Sequence, residues 1–72
     1  MSFDYSALIG KIAQKCDNQR IFAQKMGLSE RSVSLKVNGK VGWKQAEISR
    51  ALTILDISKR DIPKYFFNVK VQ

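Results

Sequence analysis

The chain has 72 residues, of which 44% are hydrophobic, and a formal net charge of +7 that comes from 13 basic and six acidic side chains. This length supports one hydrophobic core, so we expect a single domain over residues 1–72. With one cysteine, Cys16, and no histidine, the chain lacks the residues for a disulfide framework, a metal site or a catalytic constellation. We therefore expect neither a cofactor nor an enzyme.

The charge and the apolar runs also bear on compartment and partners. No apolar stretch approaches the ~20 residues that cross a bilayer, and a free thiol fits a reducing compartment. We therefore expect a cytoplasmic protein that does not bind membranes. Between residues 18 and 44 the chain carries six basic residues and one acid, Glu30. Such a cationic segment favours a polyanionic partner such as nucleic acid.

The first predicted helix runs over residues 5–15, and Asp4 is placed to cap it. Its spacing puts Leu8, Ile9 and Ile12 on the inner face.

A short second helix is predicted over residues 19–26, after a cap at Asp17 or Asn18. Gly27 ends it, because glycine readily adopts the positive φ of that position. The residues expected on its inner face are Phe22, Ala23 and Met26.

The third helix is predicted to begin after a cap at Ser29 and to end near Asn38. Val33 and Val37 are four residues apart and therefore share its inner face. Leu28 is expected to be buried in a turn of about three residues between the second and third helices.

A loop over residues 38–42 precedes a fourth helix, predicted over residues 43–55. Asp56 is expected to adopt the left-handed conformation that ends it, and Trp43 is expected to pack against the core. The inward residues of this helix are predicted to be Ile48, Ala51, Leu52 and Leu55.

A fifth, short helix is predicted to end near Ile62, against Pro63. The C-terminal tail, residues 64–72, is aromatic and then alternates apolar and polar residues. This pattern leaves two alternatives: the tail covers the core, or it forms an extended edge that pairs with a second chain.

The segment from Gln19 to Lys40, QRIFAQKMGLSERSVSLKVNGK, resembles the helix-turn-helix of the Cro and lambda-repressor-like family. The resemblance extends over nearly the whole chain and implies an all-α, five-helix DNA-binding domain, with the motif over residues 19–38. Two residues fit this motif on physical grounds, because Ala23 is small where the two helices would cross closely and Gly27 can make the turn. The third helix is then the one free to lie in a major groove.

Four further segments, FDY, LSER, WKQ and IPKYFF, resemble small regulatory proteins of phages and prophages of Gram-positive bacteria. Within that group the chain resembles the antirepressor family of temperate lactococcal phages known as modulators of repression. The resemblance implies a regulator of the lysis–lysogeny switch in the cytoplasm of a bacterial host. Its implied partner is the cognate phage repressor.

One departure from the helix-turn-helix pattern concerns residues 35 and 36. Lys36 stands where the family usually has an inward apolar residue, and Leu35 stands where a polar base-reading residue is usual. Either the helix rolls so that Leu35 becomes core, or Val37 provides that packing and Leu35 stays on the reading face. An outward Leu35 could contact a thymine methyl or be buried in another protein.

Two functions from different classes remain open. The first is an antirepressor that binds the repressor, with weak or joint DNA binding; its interface residues are predicted to be Arg31, Ser32, Leu35 and Lys36. The second is a Cro-type dimer that binds double-stranded operator DNA directly. The residues predicted to contact DNA are Gln19, Glu30, Arg31, Ser32, Ser34, Lys36, Asn38 and Lys40.

Overall fold

The computed structural model describes residues 3–69. The α-helices within that range are α1 (Ser6–Cys16), α2 (Gln19–Met26), α3 (Glu30–Val37), α4 (Gln45–Leu55) and α5 (Ile62–Phe66). A 3-10 turn, Lys59–Asp61, lies between α4 and α5. The predicted all-α, five-helix fold is confirmed. No helix among the described residues is long and apolar enough to cross a membrane.

The N-cap of the first helix is Tyr5, which makes no side-chain cap hydrogen bond, and not Asp4 as predicted. Asp4 Oδ1 accepts a hydrogen bond from the Ser6 N–H at 2.9 Å. The inner face of the helix also differs from the prediction. Leu8, Ile12 and Cys16, spaced four residues apart, are buried. Ile9 is 37% exposed, so its predicted inward position was wrong. It lies about 100° around the helix from Leu8, outside the buried stripe.

The second helix has the predicted bounds and caps. Asn18 is its N-cap, and the side-chain oxygen accepts a hydrogen bond from the Ile21 N–H at 2.9 Å. Gly27 ends the helix with φ of 73°, in the left-handed region. Phe22, at the centre of this helix, is fully buried.

The last two helices correct the predicted boundaries. The fourth helix begins at Gln45 and not at residue 43, because Lys44 is extended and acts as its N-cap. Asp56 ends it with φ of 55°, as predicted. Pro63 lies in the first turn of α5 and does not terminate a helix. Proline is tolerated there, because the N–H that it lacks has no partner within the first turn.

The hydrophobic core is drawn from all five helices. The fully buried larger side chains are Leu8, Ile12, Phe22, Val33, Leu55 and Phe66. Trp43 packs on this core as expected, with its ring edge-to-face against Phe66 at a centroid distance of 5.2 Å. The expected inward set of α4 is confirmed for Ala51, Leu52 and Leu55, and Ile48 is partly buried against them.

The tail joins the core and then meets the N-terminal segment of its own chain. Tyr65 and Phe66 are buried. Phe3 and Val69 form an isolated antiparallel bridge, and the ring of Phe3 packs edge-to-face on Phe67 at 5.8 Å. The described part of the tail therefore covers the core, while residues 70–72 lie outside the described residues.

Candidate functional site on the third helix

The second and third helices are joined by a tight turn, and together they form what we call the α2–α3 unit, residues 19–37. The Leu28 N–H donates to the Ala23 carbonyl at 2.9 Å, and the Gly27 N–H donates to that of Gln24 at 3.2 Å. Ser29 then caps α3 by accepting the Ser32 N–H at 3.1 Å. These bonds satisfy carbonyl groups at the end of α2 and an N–H group at the start of α3 that have no partner within their own helix. They also fix the direction of α3 relative to the turn.

The inner and outer faces of α3 are sharply divided. Val33 and Val37 are buried in the core. Leu35 lies about 200° around the helix from Val33, is half-buried and does not belong to the hydrophobic core. The alternative in which Leu35 becomes core is therefore wrong. Val37 provides the inward packing, and Leu35 lies on the outer face one turn after Arg31.

Lys36 is the clearest departure from the predicted site. Its placement among the residues that contact DNA or repressor was wrong, because only 5% of the residue is exposed. Its Nζ lies 3.0 Å from Glu47 Oε1 and donates to the Gly42 carbonyl at 3.1 Å. The same ammonium lies 5.9 Å from the centre of the Trp43 ring, a distance suited to a cation–π contact. A lysine can occupy this inward position because its charge has several partners.

Glu47, on the first turn of α4, completes this polar cluster. Its Oε1 also accepts the Lys44 N–H at 2.9 Å. Burial favours the neutral carboxyl, but the bond from the Lys44 backbone and the nearby Lys36 ammonium outweigh it, so the pKa of Glu47 is lowered. We refer to Lys36, Gly42, Lys44 and Glu47 together as the loop clamp.

Polar residues of α3 are partly engaged with one another. The Ser29 hydroxyl lies 3.0 Å from that of Ser32. The Asn38 amide donates to the Ser34 carbonyl at 2.8 Å. This bond satisfies a carbonyl at the end of α3, so Asn38 has a role in ending the helix.

The other predicted contact residues are spread over two helices and the following loop. Glu30 and Arg31 are exposed on the first turn of α3, and Lys40 is exposed in the loop after it. Gln19 is half-buried at the start of α2. The outer face of α3 therefore brings together Arg31 and Leu35, with Ser32 and Ser34 half-buried at its sides.

Sequence reasoning missed Glu47 and the Gly42 carbonyl. The available signal was Lys36 itself, which directly precedes the inward Val37 and lies three residues after the inward Val33. A lysine at such a position needs a buried counter-charge, and Glu47 is the first acid after the α3–α4 loop.

The fold and this face define a small all-helical domain with the α2–α3 unit at its surface. The family described as "Protein of unknown function (DUF739)" matches residues 1–69, and the chain belongs to this family. No curated protein sequence matches the chain.

A solved structure gives a more specific likeness. The chain is similar to the modulator of repression (MOR) of the temperate bacteriophage TP901-1 from Lactococcus lactis, whose structure was determined in solution. The two proteins are 60% identical, with a TM-score of 0.82, and the match covers 100% of this chain and 97% of that chain. The resemblance to the modulators of repression is thereby confirmed.

Proposed function

We propose that this protein is a phage or prophage regulator of the lysis–lysogeny switch that acts as an antirepressor by binding the cognate lysogeny repressor. The likeness to a modulator of repression supports the regulatory class. The observation that carries the mode of action is the outer face of α3, where Leu35 lies beside Arg31 and the one lysine of α3 is buried.

This face has the chemistry of a protein interface. Burying Leu35 in an apolar depression on the repressor would contribute ~2 kcal/mol, whereas a base-reading surface gains little from a leucine. Arg31, one turn away, is placed to pair with an acid of the repressor and to steer association. Ser32 completes the proposed repressor interface.

Docking through α3 would also govern DNA binding. The face that contacts the repressor is the face that a major groove would otherwise receive, so one copy cannot engage both partners through it at once. We therefore propose that DNA binding by the isolated chain is weak, or is made jointly with the repressor.

The test uses labelled operator DNA and the purified lysogeny repressor of the same phage. We expect the chain alone to leave the anisotropy of the DNA nearly unchanged. When it is added to the repressor–operator complex, it should change the anisotropy of the labelled DNA. It should also form a complex with the repressor that is detectable by light scattering. Tight operator binding without any repressor complex would reject the antirepressor proposal.

The alternative is a Cro-type dimer that binds the operator directly. The observation that favours it is the exposure of Arg31 and Lys40, together with the net charge of +7. The same titration separates the two functions, because a direct binder needs no repressor. A molar mass of two chains in the absence of DNA would support this alternative.

A further inference from the structure

The loop between α3 and α4 is fastened at one point by a buried cation. The Lys36 ammonium bonds the Gly42 carbonyl, inside the loop, and the Glu47 carboxylate, beyond it. Glu47 in turn accepts the backbone N–H of Lys44. The last turn of α3, the end of the loop and the first turn of α4 are therefore joined through two side chains.

The first part of the same loop is hydrogen-bonded to Leu35, the residue in the middle of the outer face of α3. The backbone N–H groups of Lys40 and Val41 both donate to the Leu35 carbonyl, at 2.9 and 3.3 Å. Because Leu35 and Lys36 are adjacent, both parts of the loop are hydrogen-bonded to the same turn of α3. A shift of the loop would change what lies beside Leu35.

We infer that Lys36 and Glu47 are positioning residues, which fix the rotation of α3 and the path of residues 38–44 so that Leu35 and Arg31 are presented to the partner. This inference rests on the proposed repressor binding and explains how its surface is held. Neither side chain needs to touch the partner, because both are largely buried, with side-chain exposures of 7% and 15%.

Stability alone does not account for an ion pair at this place. Apolar residues of similar volume often replace a buried pair with no loss of stability. An apolar pair does not fix the relative orientation of two side chains, because hydrophobic contact is non-directional. Hydrogen bonds between charged groups are short and have a defined geometry. The loop clamp therefore fixes the position of the loop relative to α3 more closely than apolar packing would.

The decisive variant is the double substitution Lys36→Met with Glu47→Leu. It removes one positive and one negative charge, so the net charge of +7 and long-range steering are unchanged. We expect a folded protein with a melting temperature close to that of the wild type. Its affinity for the purified repressor should nevertheless fall about tenfold, because a loosely held contact face binds less well. A folded double variant with wild-type affinity would overturn the inference.

A second measurement separates this inference from the proposed function. Amide hydrogen exchange at Lys40 and Val41 should be faster in the double variant than in the wild type, while exchange within α1 stays the same. If the wild type itself does not bind repressor, the proposed function fails, but the exchange data still decide whether the clamp holds the loop. Unchanged exchange at both residues would overturn the positioning role.

A milder variant covers the case in which the double variant does not fold. Glu47→Gln keeps an oxygen that can accept the Lys44 N–H and removes the charge that faces Lys36. We expect the same faster exchange at Lys40 and Val41 and a weaker loss of repressor affinity. Wild-type exchange and affinity in this variant would likewise contradict the inference.

Discussion

Val33 and Leu35 lie on opposite sides of α3, with Val33 fully buried and Leu35 half-buried outside the core. Two residues of similar chemistry, two positions apart, therefore belong to different surfaces. Val33 holds the helix against the rest of the fold, and Leu35 is available for a contact beyond it. This division makes Leu35 the residue whose substitution best separates binding from folding.

Leu35→Asp is expected to abolish repressor binding and leave the helical circular dichroism and melting temperature nearly unchanged. Loss of the leucine that the proposed interface would bury removes ~2 kcal/mol, and an unpaired carboxylate in an apolar interface adds a desolvation cost. Isothermal titration calorimetry with the purified repressor measures the effect. The matched control is Ile9→Asp, which places the same substitution at an exposed apolar residue of α1 and should bind normally. Unfolding of Leu35→Asp, or normal binding by it, would contradict this assignment.

Phe22→Ala is expected to lower the free energy of unfolding by about 3–5 kcal/mol, because a fully buried ring leaves a cavity in the core. In so small a domain that loss can exceed the total stability. Chemical denaturation followed by circular dichroism measures it, and Phe67→Ala, at an exposed ring, is the control. A loss below about 1 kcal/mol for Phe22→Ala would disagree with the observed packing.

Acid is expected to weaken the fold partly through Glu47. Its pKa is lower in the folded chain than the ordinary value of 4.5, so the unfolded chain takes up this proton first as the pH falls. The stabilising contribution is therefore complete above the ordinary carboxyl pKa and is lost as the pH falls through the folded pKa.

The measurement for Glu47 is denaturant unfolding at neutral pH and at about pH 3. Other carboxyl groups titrate in the same range, so the comparison is with Glu47→Gln, which lacks this proton site. The wild type should lose more stability on acidification than the variant does. Equal losses would show that protonation of Glu47 does not change the free energy of unfolding.

Direct DNA binding, where it occurs, should depend only moderately on salt. With Lys36 buried, Arg31 and Lys40 are the exposed cations of the predicted contact set. Even if both lie close to phosphates, the slope of log K against log salt should be no steeper than about −1.8. Arg31→Ala should weaken sequence-specific binding, and Lys40→Ala should weaken all duplexes alike. Anisotropy titrations at several salt concentrations test this. A slope clearly steeper than about −1.8 would require cations outside this set.

The sequence predicted the helices well where the signals are local. Asn18, Gly27 and Ser29 act through hydrogen bonds or dihedral angles within a few residues, so their roles can be inferred from the chain alone. Pro63 was misplaced because proline is compatible with both the end of one helix and the first turn of the next. The structure has the second arrangement.

The candidate site was less predictable, because it depends on a contact between distant parts of the chain. Lys36 and Glu47 are eleven residues apart and on different helices. The charge pattern alone places Lys36 on a cationic surface, whereas the helical spacing places it beside Val33 and Val37, on the buried side of α3. The position of Leu35 followed from that same spacing once Val37 was known to be buried.

Cys16, at the end of α1, is 2% exposed and is the chain's one thiol. A thiol reagent can reach its sulfur only when the fold opens around the end of α1. The labelling rate therefore measures how often the native structure opens, and no probe has to be introduced by substitution. Slower labelling in the presence of the repressor would indicate that the complex closes these openings, even though the thiol lies far along the chain from the proposed contact face.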